Sequence, residues 1–172
     1  MKKVSIVVPV FNEEDNLREF HKRITAVMSK EPYEYKIVFV NDGSSDNSAV
    51  ILSELAKEDE HVEAYLLSRN YGHQMALTCG LDNVEGDVVI TMDGDMQHPP
   101  EIVPQLLRLW EEGNEIVITK RLATEDAGFF KNFTSAAYYK LINAVSKVEI
   151  IPGGSDFRLM DRIAVDAFNQ YR

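Results

Sequence analysis

Short runs of β-branched and aliphatic residues recur at positions 4–10, 36–40, 62–67, 87–92 and 115–119, and the segments between them carry apolar residues at helical spacing. That alternation predicts an α/β domain, a mostly parallel central sheet with helices on both faces. The first helix is the clearest. Asn12 is placed to cap it, Glu13, Glu14 and Asp15 suit the positive helix terminus, and Leu17, Phe20, Ile24, Val27 and Met28 repeat on one face. Ser44, Ser45 and Asp46 open a second helix with Ile51, Leu52 and Leu55 facing inward, and a third follows His73. A fourth starts at Pro100-Glu101, and its stripe of Ile102, Leu106, Leu109 and Trp110 reads as core.

After about Gly128 the pattern changes to a long helical segment, 129–145, then the turn Pro152-Gly153-Gly154 and a strand at 156–160. A last helix, 163–171, runs into Arg172 without a Gly or Pro stop signal, which predicts that the protein is longer than this chain. With 172 residues, 45% of them hydrophobic and 27% charged, residues 1–172 are expected to form one globular domain, truncated at its C-terminal end.

The net charge of −10 argues against nucleic acid as a partner, because that affinity comes from Lys and Arg displacing counterions. Cys79, the single cysteine, excludes an internal disulfide and reads as a small buried apolar residue in a reducing compartment. No stretch approaches the roughly 18 continuous apolar residues of a membrane span, so the chain itself is expected to be soluble.

In an open parallel sheet, ligands bind beyond the carboxyl ends of the strands. Four runs deliver polar residues there: Pro9-Val10-Phe11-Asn12-Glu13-Glu14, Asn41-Asp42-Gly43-Ser44-Ser45-Asp46, Asp93-Gly94-Asp95 and Lys120-Arg121. Singly, Asn12 and Ser45 also read as helix caps and Asp42-Gly43 as a turn. Asp93 and Asp95 are the sharpest case, since two carboxylates at i and i+2 repel unless a proton or a cation intervenes. Mg²⁺ or Mn²⁺ satisfies both and commonly shares its shell with substrate phosphates, and Gln97 is placed to add a carbonyl oxygen. The competing reading is an acidic turn in which Gly94 supplies a positive φ. His98 reads equally as a ligand and as an exposed or supporting histidine.

These motifs, with Met92-Asp93-Gly94-Asp95-Met96-Gln97-His98-Pro99-Pro100-Glu101, resemble family 2 glycosyltransferases with the Rossmann-like GT-A fold. Ser68-Arg69-Asn70-Tyr71-Gly72-His73-Gln74 and Gly154-Ser155-Asp156-Phe157-Arg158-Leu159-Met160-Asp161-Arg162 are similar to the polyprenyl-phosphate branch of that family, the dolichol-phosphate mannosyltransferase and undecaprenyl-phosphate glucosyltransferase-like enzymes. The resemblance implies that Pro9, Phe11, Glu13 and Asp42 surround the base and ribose of a UDP- or GDP-sugar. It implies that Asp93, Gly94 and Asp95 meet the rest of the donor, with Asp93, Asp95 and Gln97 handling the metal. Arg121, Lys131, Ser135 and Arg158 would meet the phosphate of a polyprenyl acceptor, and Asp156, Asp95 and Arg121 would carry catalysis. Such relatives continue into membrane-spanning helices, so the full-length protein is expected at the cytoplasmic face of a membrane, with a homo-oligomer left open.

A phosphate acceptor is already anionic and needs mainly positioning, so Asp156 is either a catalytic base or an orienting group. Two further readings stand beside the first: a glycosyltransferase acting on a glycan hydroxyl, in which Asp156 is the base, and an inactive sugar-nucleotide-binding fragment. A dehalogenase-like phosphatase is disfavoured because its Asp-x-Asp belongs on the first strand. A dinucleotide enzyme is disfavoured because the first strand leads into Glu13 and Glu14 rather than a glycine-rich turn.

Overall fold

A computed structural model describes residues 1–120 and 154–171. Strands β1 (Lys3–Val10), β2 (Glu34–Asn41), β3 (Val62–Leu66), β4 (Val88–Thr91), β5 (Ile116–Lys120) and β6 (Gly154–Asp161) form one sheet in the order β3-β2-β1-β4-β6-β5. The pairs β1/β2, β1/β4 and β2/β3 are parallel, whereas β6 runs antiparallel to β4. The helices are α1 (Leu17–Met28), α2 (Ser48–Glu58), α3 (His73–Asn83), α4 (Val103–Glu111) and α5 (Arg162–Gln170). The mostly parallel α/β architecture is the one the hydrophobic pattern predicts. Two compact units divide the chain, Met1–Val117 with Asp156–Arg172, and Ile118–Ser155. Among the described residues no helix is long and apolar enough to cross a membrane.

The period-2 alternation of β1 sets the layers. Val4, Ile6, Val8 and Val10 face a core built with Leu17, Phe20, Ile24 and Met28 of α1, Leu52 and Leu55 of α2, and Val103, Leu106, Leu107 and Trp110 of α4. Val7 faces the opposite side, where Val38, Val40 and Val89 pack under Ala76, Leu77 and Leu81 of α3 and Val165 of α5. Cys79 is half-buried at the rim of this second cluster, and burial raises its thiol pKa. A fully buried side chain such as Phe20 contributes about 1.5–3 kcal/mol, so these two layers dominate the stability.

Three expected helix starts shift. Asn12 does not cap α1: it sits in the left-handed region at φ 55, its side-chain oxygen is taken by the Ser45 amide, and Asn16 precedes the first helical residue. Ser44 and Ser45 likewise lie ahead of α2, which begins at Ser48 after Asp46 accepts from its amide at 3.0 Å. The fourth helix opens as a 3-10 turn, Pro100–Ile102, before α4. Ahead of α1 and α2, polar side chains that resemble caps are used to bind another loop instead. The long helix expected at 129–145 lies outside the described residues; of the turn Pro152-Gly153-Gly154 only Gly154 is described, and it opens β6.

The approach of α3 to the sheet depends on Gly80. A β-carbon there would lie 2.3 Å from Val7 Cγ1 and 3.3 Å from Val40 Cγ2, both on stiff β-branched side chains. Gly80→Ala gains up to about 1 kcal/mol of helix propensity, against about 1–3 kcal/mol of overpacking. The expected net result is a loss of about 1 kcal/mol, a melting point lower by roughly 2–4 °C. Adding Val7→Ala should destabilise the Gly80→Ala background less than it destabilises the parent. Equal or higher stability in Gly80→Ala alone would show that α3 does not need the close approach.

Candidate active site

The chain order places β2 and β3 on one side of β1 and β4 on the other, so the crossover through α3 creates a topological switch point between β1 and β4. At the carboxyl edge beside it, the loops after β1 and β2 interlock through backbone amides. Asn12 N donates to Ser44 Oγ at 2.9 Å and Ser45 N returns a bond to Asn12 Oδ1 at 2.8 Å. Glu13 N donates to Ser48 Oγ at 3.0 Å, and Glu14 N donates to Asp46 Oδ2 at 3.1 Å. Asn47 N closes the set on Glu14 Oε2 at 2.9 Å. Loop amides that a sheet cannot pair are thereby satisfied, and the two loops become one wall.

Asp42 anchors the loop after β3 to that wall. Its carboxylate is buried and accepts from Tyr71 N at 2.7 Å and from Gly72 N at 2.8 Å. Next to it Gly43 adopts φ +65, and a β-carbon there would meet the Arg69 and Asn70 backbone at 2.3–2.6 Å. Only glycine fits both the dihedral and the space.

The third wall is acidic. Register pairs Thr91 with Arg158 across the antiparallel ladder, and continuing it by two residues brings Asp156 opposite Asp93. Thr91 Oγ1 fixes that extension by donating to the Asp156 carbonyl at 2.5 Å. His73, the first residue of α3, places Nε2 3.4 Å from Asp156 Oδ2 and 3.7 Å from Asp93 Oδ1. His98 Nδ1 lies 3.6 Å from the other Asp93 oxygen, its ring beside Phe157, and Arg158 pairs with Asp156 Oδ1. Burial raises the pKa of Asp93; the neighbouring imidazoles oppose the rise, and Asp95 and Asp156 add to it. Asp95 Oδ1 accepts from Gln97 N at 2.9 Å. The left-handed residue of this loop is Met96, at φ 62, not Gly94; Gly94 is buried, and a β-carbon on it would lie 3.3 Å from Val8 Cγ1.

These walls enclose a cleft of about 300 Å³ lined by Pro9, Val10, Phe11, Glu13, Asp42, Asn70, His73, Ala76, Asp93, Gly94 and Asp95. All seven residues expected to meet the donor line it. Gln97 is exposed and does not, and Arg121, Lys131 and Ser135 lie outside the described residues. Asn70 and His73 line the cleft without having been assigned a role from sequence. The available signal was their position, just after a strand and at a helix start on the ligand-binding edge. A larger hollow of about 680 Å³ opens at the amino-terminal ends of β1, β2 and β3, lined by residues such as Lys3, Tyr35 and Glu85. It opens at the edge opposite the carboxyl ends of the strands, and it is at those carboxyl ends that open parallel sheets bind ligands, so the chemistry belongs to the smaller cleft.

A hard divalent cation suits these donors. Among the described residues no three His, Cys, Asp or Glu side chains are set closely enough to hold a metal alone. Two crowded carboxylates, one half-buried and raised in pKa, match the case in which Mg²⁺ or Mn²⁺ is shared between one or two protein carboxylates and ligand phosphates.

The open, mostly parallel sheet with helices is the architecture of the GT-A fold. The chain belongs to glycosyl transferase family 2, whose family model matches residues 5–168. It is 42% identical to the bactoprenol glucosyl transferase of Shigella phage SfV, over 95% of this chain and 53% of that protein. It is 43% identical to the undecaprenyl-phosphate 4-deoxy-4-formamido-L-arabinose transferase of Proteus mirabilis, over 84% of this chain and 43% of the relative. The chain spans about half the length of the curated relatives it matches. Its fold also matches the mannosyltransferase PcManGT from Pyrobaculum calidifontis in complex with GDP-Man and Mn²⁺. The TM-score is 0.64 at 16% identity, over 97% of this chain and 46% of that one.

Asp42→Asn tests the wall. The substituted amide retains one acceptor and turns an N–H₂ toward a backbone N–H, leaving a buried donor unpaired at a cost of about 1–3 kcal/mol. Hydrogen exchange at the Tyr71 and Gly72 amides is expected to speed up at least about tenfold. Unchanged exchange at both amides would show that Asp42 does not hold this loop.

Proposed function

We propose that the protein transfers a sugar, with inversion at the anomeric carbon, from a UDP- or GDP-linked donor to a polyprenyl phosphate, with Mg²⁺ or Mn²⁺ as cofactor. The observation that carries this reading is the convergence of Asp93 and Asp95 with Pro9, Phe11, Glu13 and Asp42 on one cleft, with Asp156 against its His73 wall. The names of the bactoprenol and undecaprenyl-phosphate relatives support a lipid phosphate acceptor. The archaeal neighbour, solved with GDP-mannose and Mn²⁺, is a precedent for such a donor and cation on this fold.

In this reading an acceptor phosphate oxygen forms a bond to the anomeric carbon as the bond from that carbon to the diphosphate breaks, and the nucleoside diphosphate leaves with the electron pair. Asp93 and Asp95 would hold the cation, which when bound would supply charge neutralisation for the departing diphosphate. Pro9, Phe11, Glu13 and Asp42 shape the pocket for base and ribose. Asp156 orients the acceptor together with Arg158, since an anionic phosphate needs no proton removed. Arg121, Lys131 and Ser135 are assigned to the acceptor phosphate, and attachment to the cytoplasmic face of a membrane is assigned to the full-length protein.

Calorimetric titration with UDP and with GDP, with Mn²⁺ present or chelated, is expected to show metal-dependent binding of one of them. Asp95→Asn should weaken it at least tenfold, about 1.4 kcal/mol, without lowering the melting temperature. Absence of binding by either nucleotide in Mn²⁺ would sink the donor assignment. In the full-length protein, Arg121→Ala with Lys131→Ala should abolish transfer to polyprenyl phosphate and leave nucleotide affinity unchanged. Retained transfer would show that Arg121 and Lys131 do not meet the acceptor phosphate; a parent protein that transfers only to a glycan hydroxyl would favour that acceptor, with Asp156 as base.

A further inference from the structure

We infer that His73 is a positioning residue for the transfer step: its imidazole ties Asp93, at the donor end of the cleft, to Asp156, and holds the Asp156 carboxylate in place. This rests on the transferase reading above.

The geometry is specific to that role. Asp156 has two oxygens with different partners, Arg158 on Oδ1 and the His73 ring 3.4 Å from Oδ2. Among the described residues Arg158 holds one oxygen, and a polar ring nitrogen 3.4 Å from the other restricts how far the carboxylate swings about its own bonds. The same ring nitrogen stands 3.7 Å from Asp93 Oδ1, so one short, rigid side chain spans both carboxylates. Arg158, Asp156, His73, Asp93 and His98 thus alternate cation-capable and anionic groups across the cleft.

His73 is itself held by the backbone. Gly72, at φ 96, starts α3, and its N–H is pinned by Asp42 Oδ2. Further along the helix Gly80 lets α3 lie against Val7 of β1. The start of α3 is therefore fixed at one end by a buried carboxylate and along its length by close packing. A ring on its first residue is aimed with little loss of side-chain entropy, since histidine has only two rotatable side-chain bonds. A longer, more mobile cation such as lysine would not give the same fixed placement.

The test uses the full-length protein. His73→Ala is expected to lower kcat for transfer at least about tenfold while the donor KM and the calorimetric nucleotide affinity in Mn²⁺ change less than about threefold. His73→Gln, whose amide N–H has a similar reach, should recover much of the lost rate. Because both residues act through one carboxylate, His73→Ala combined with Asp156→Asn should be no slower than Asp156→Asn alone. A kcat equal to the parent's in His73→Ala, or losses that multiply in the double variant, overturns the inference. So does a fall in nucleotide affinity as large as the fall in kcat, which would make His73 a donor ligand. Absence of transfer by the parent protein refutes the transferase reading itself. A parent that transfers normally beside an unaffected His73→Ala refutes only the role of His73.

Discussion

Crowding of negative charge at the switch point of the sheet is the constraint on which the rest of the site depends. Like charges at a protein edge repel, and burial adds to the cost of keeping any one of them ionised. Here Asp93 is half-buried and influenced by both Asp95 and Asp156. A protein that only needed a turn after β4 would have no reason to keep that arrangement. The imidazoles of His73 and His98 and the guanidinium of Arg158 offset part of it, and they do so from three different elements. What remains is a preference for a further positive charge at the open side of the cleft, which is where a cation bound to a diphosphate would lie.

That constraint explains why the surrounding architecture is so heavily tied together. Repelling groups stay close only if the backbone that carries them cannot relax. The interlocked loops after β1 and β2, the Asp42 carboxylate on two amides of the loop after β3, and the antiparallel ladder that places Asp156 opposite Asp93 each remove one direction of relaxation. The two glycines with least room act in the same sense: Gly43 lets one loop touch the next, and Gly80 lets α3 touch β1. The core positions the site, and the polar network holds it against its own charge.

Much of this was legible in the sequence because the governing signals are local. The strand runs and the inward faces of α1 and α2 follow from periodicities of 2 and 3.6, and the ligand-binding edge follows from polar residues placed after apolar runs. All seven residues expected to meet the donor line the same cleft. The shifted starts of α1 and α2 share one cause: Asn12, Ser44 and Ser45 have the chemistry of helix caps, yet spend it on each other across 32 or 33 positions of sequence. No local pattern distinguishes the two uses. The roles of Asp42 as a clamp and of His73 as a bridge were hidden for the same reason, since each depends on partners in another strand or loop.

The two carboxylates of the Asp-x-Asp motif also part company once the fold is seen. Asp93 is drawn into the protein: it is the more buried in effect, raised in pKa, and contacted by two imidazoles. Asp95 turns back on its own loop, where its oxygen accepts from the Gln97 amide beside the left-handed Met96. A motif that looks symmetric in sequence therefore has one end in contact with two imidazoles and the other bonded within its own loop. His73 Nε2 stands between Asp93 and Asp156, 3.7 Å from the one and 3.4 Å from the other. The division of labour follows from topology: Asp93 continues β4 into the switch point, and Asp95, two residues on, has already left it.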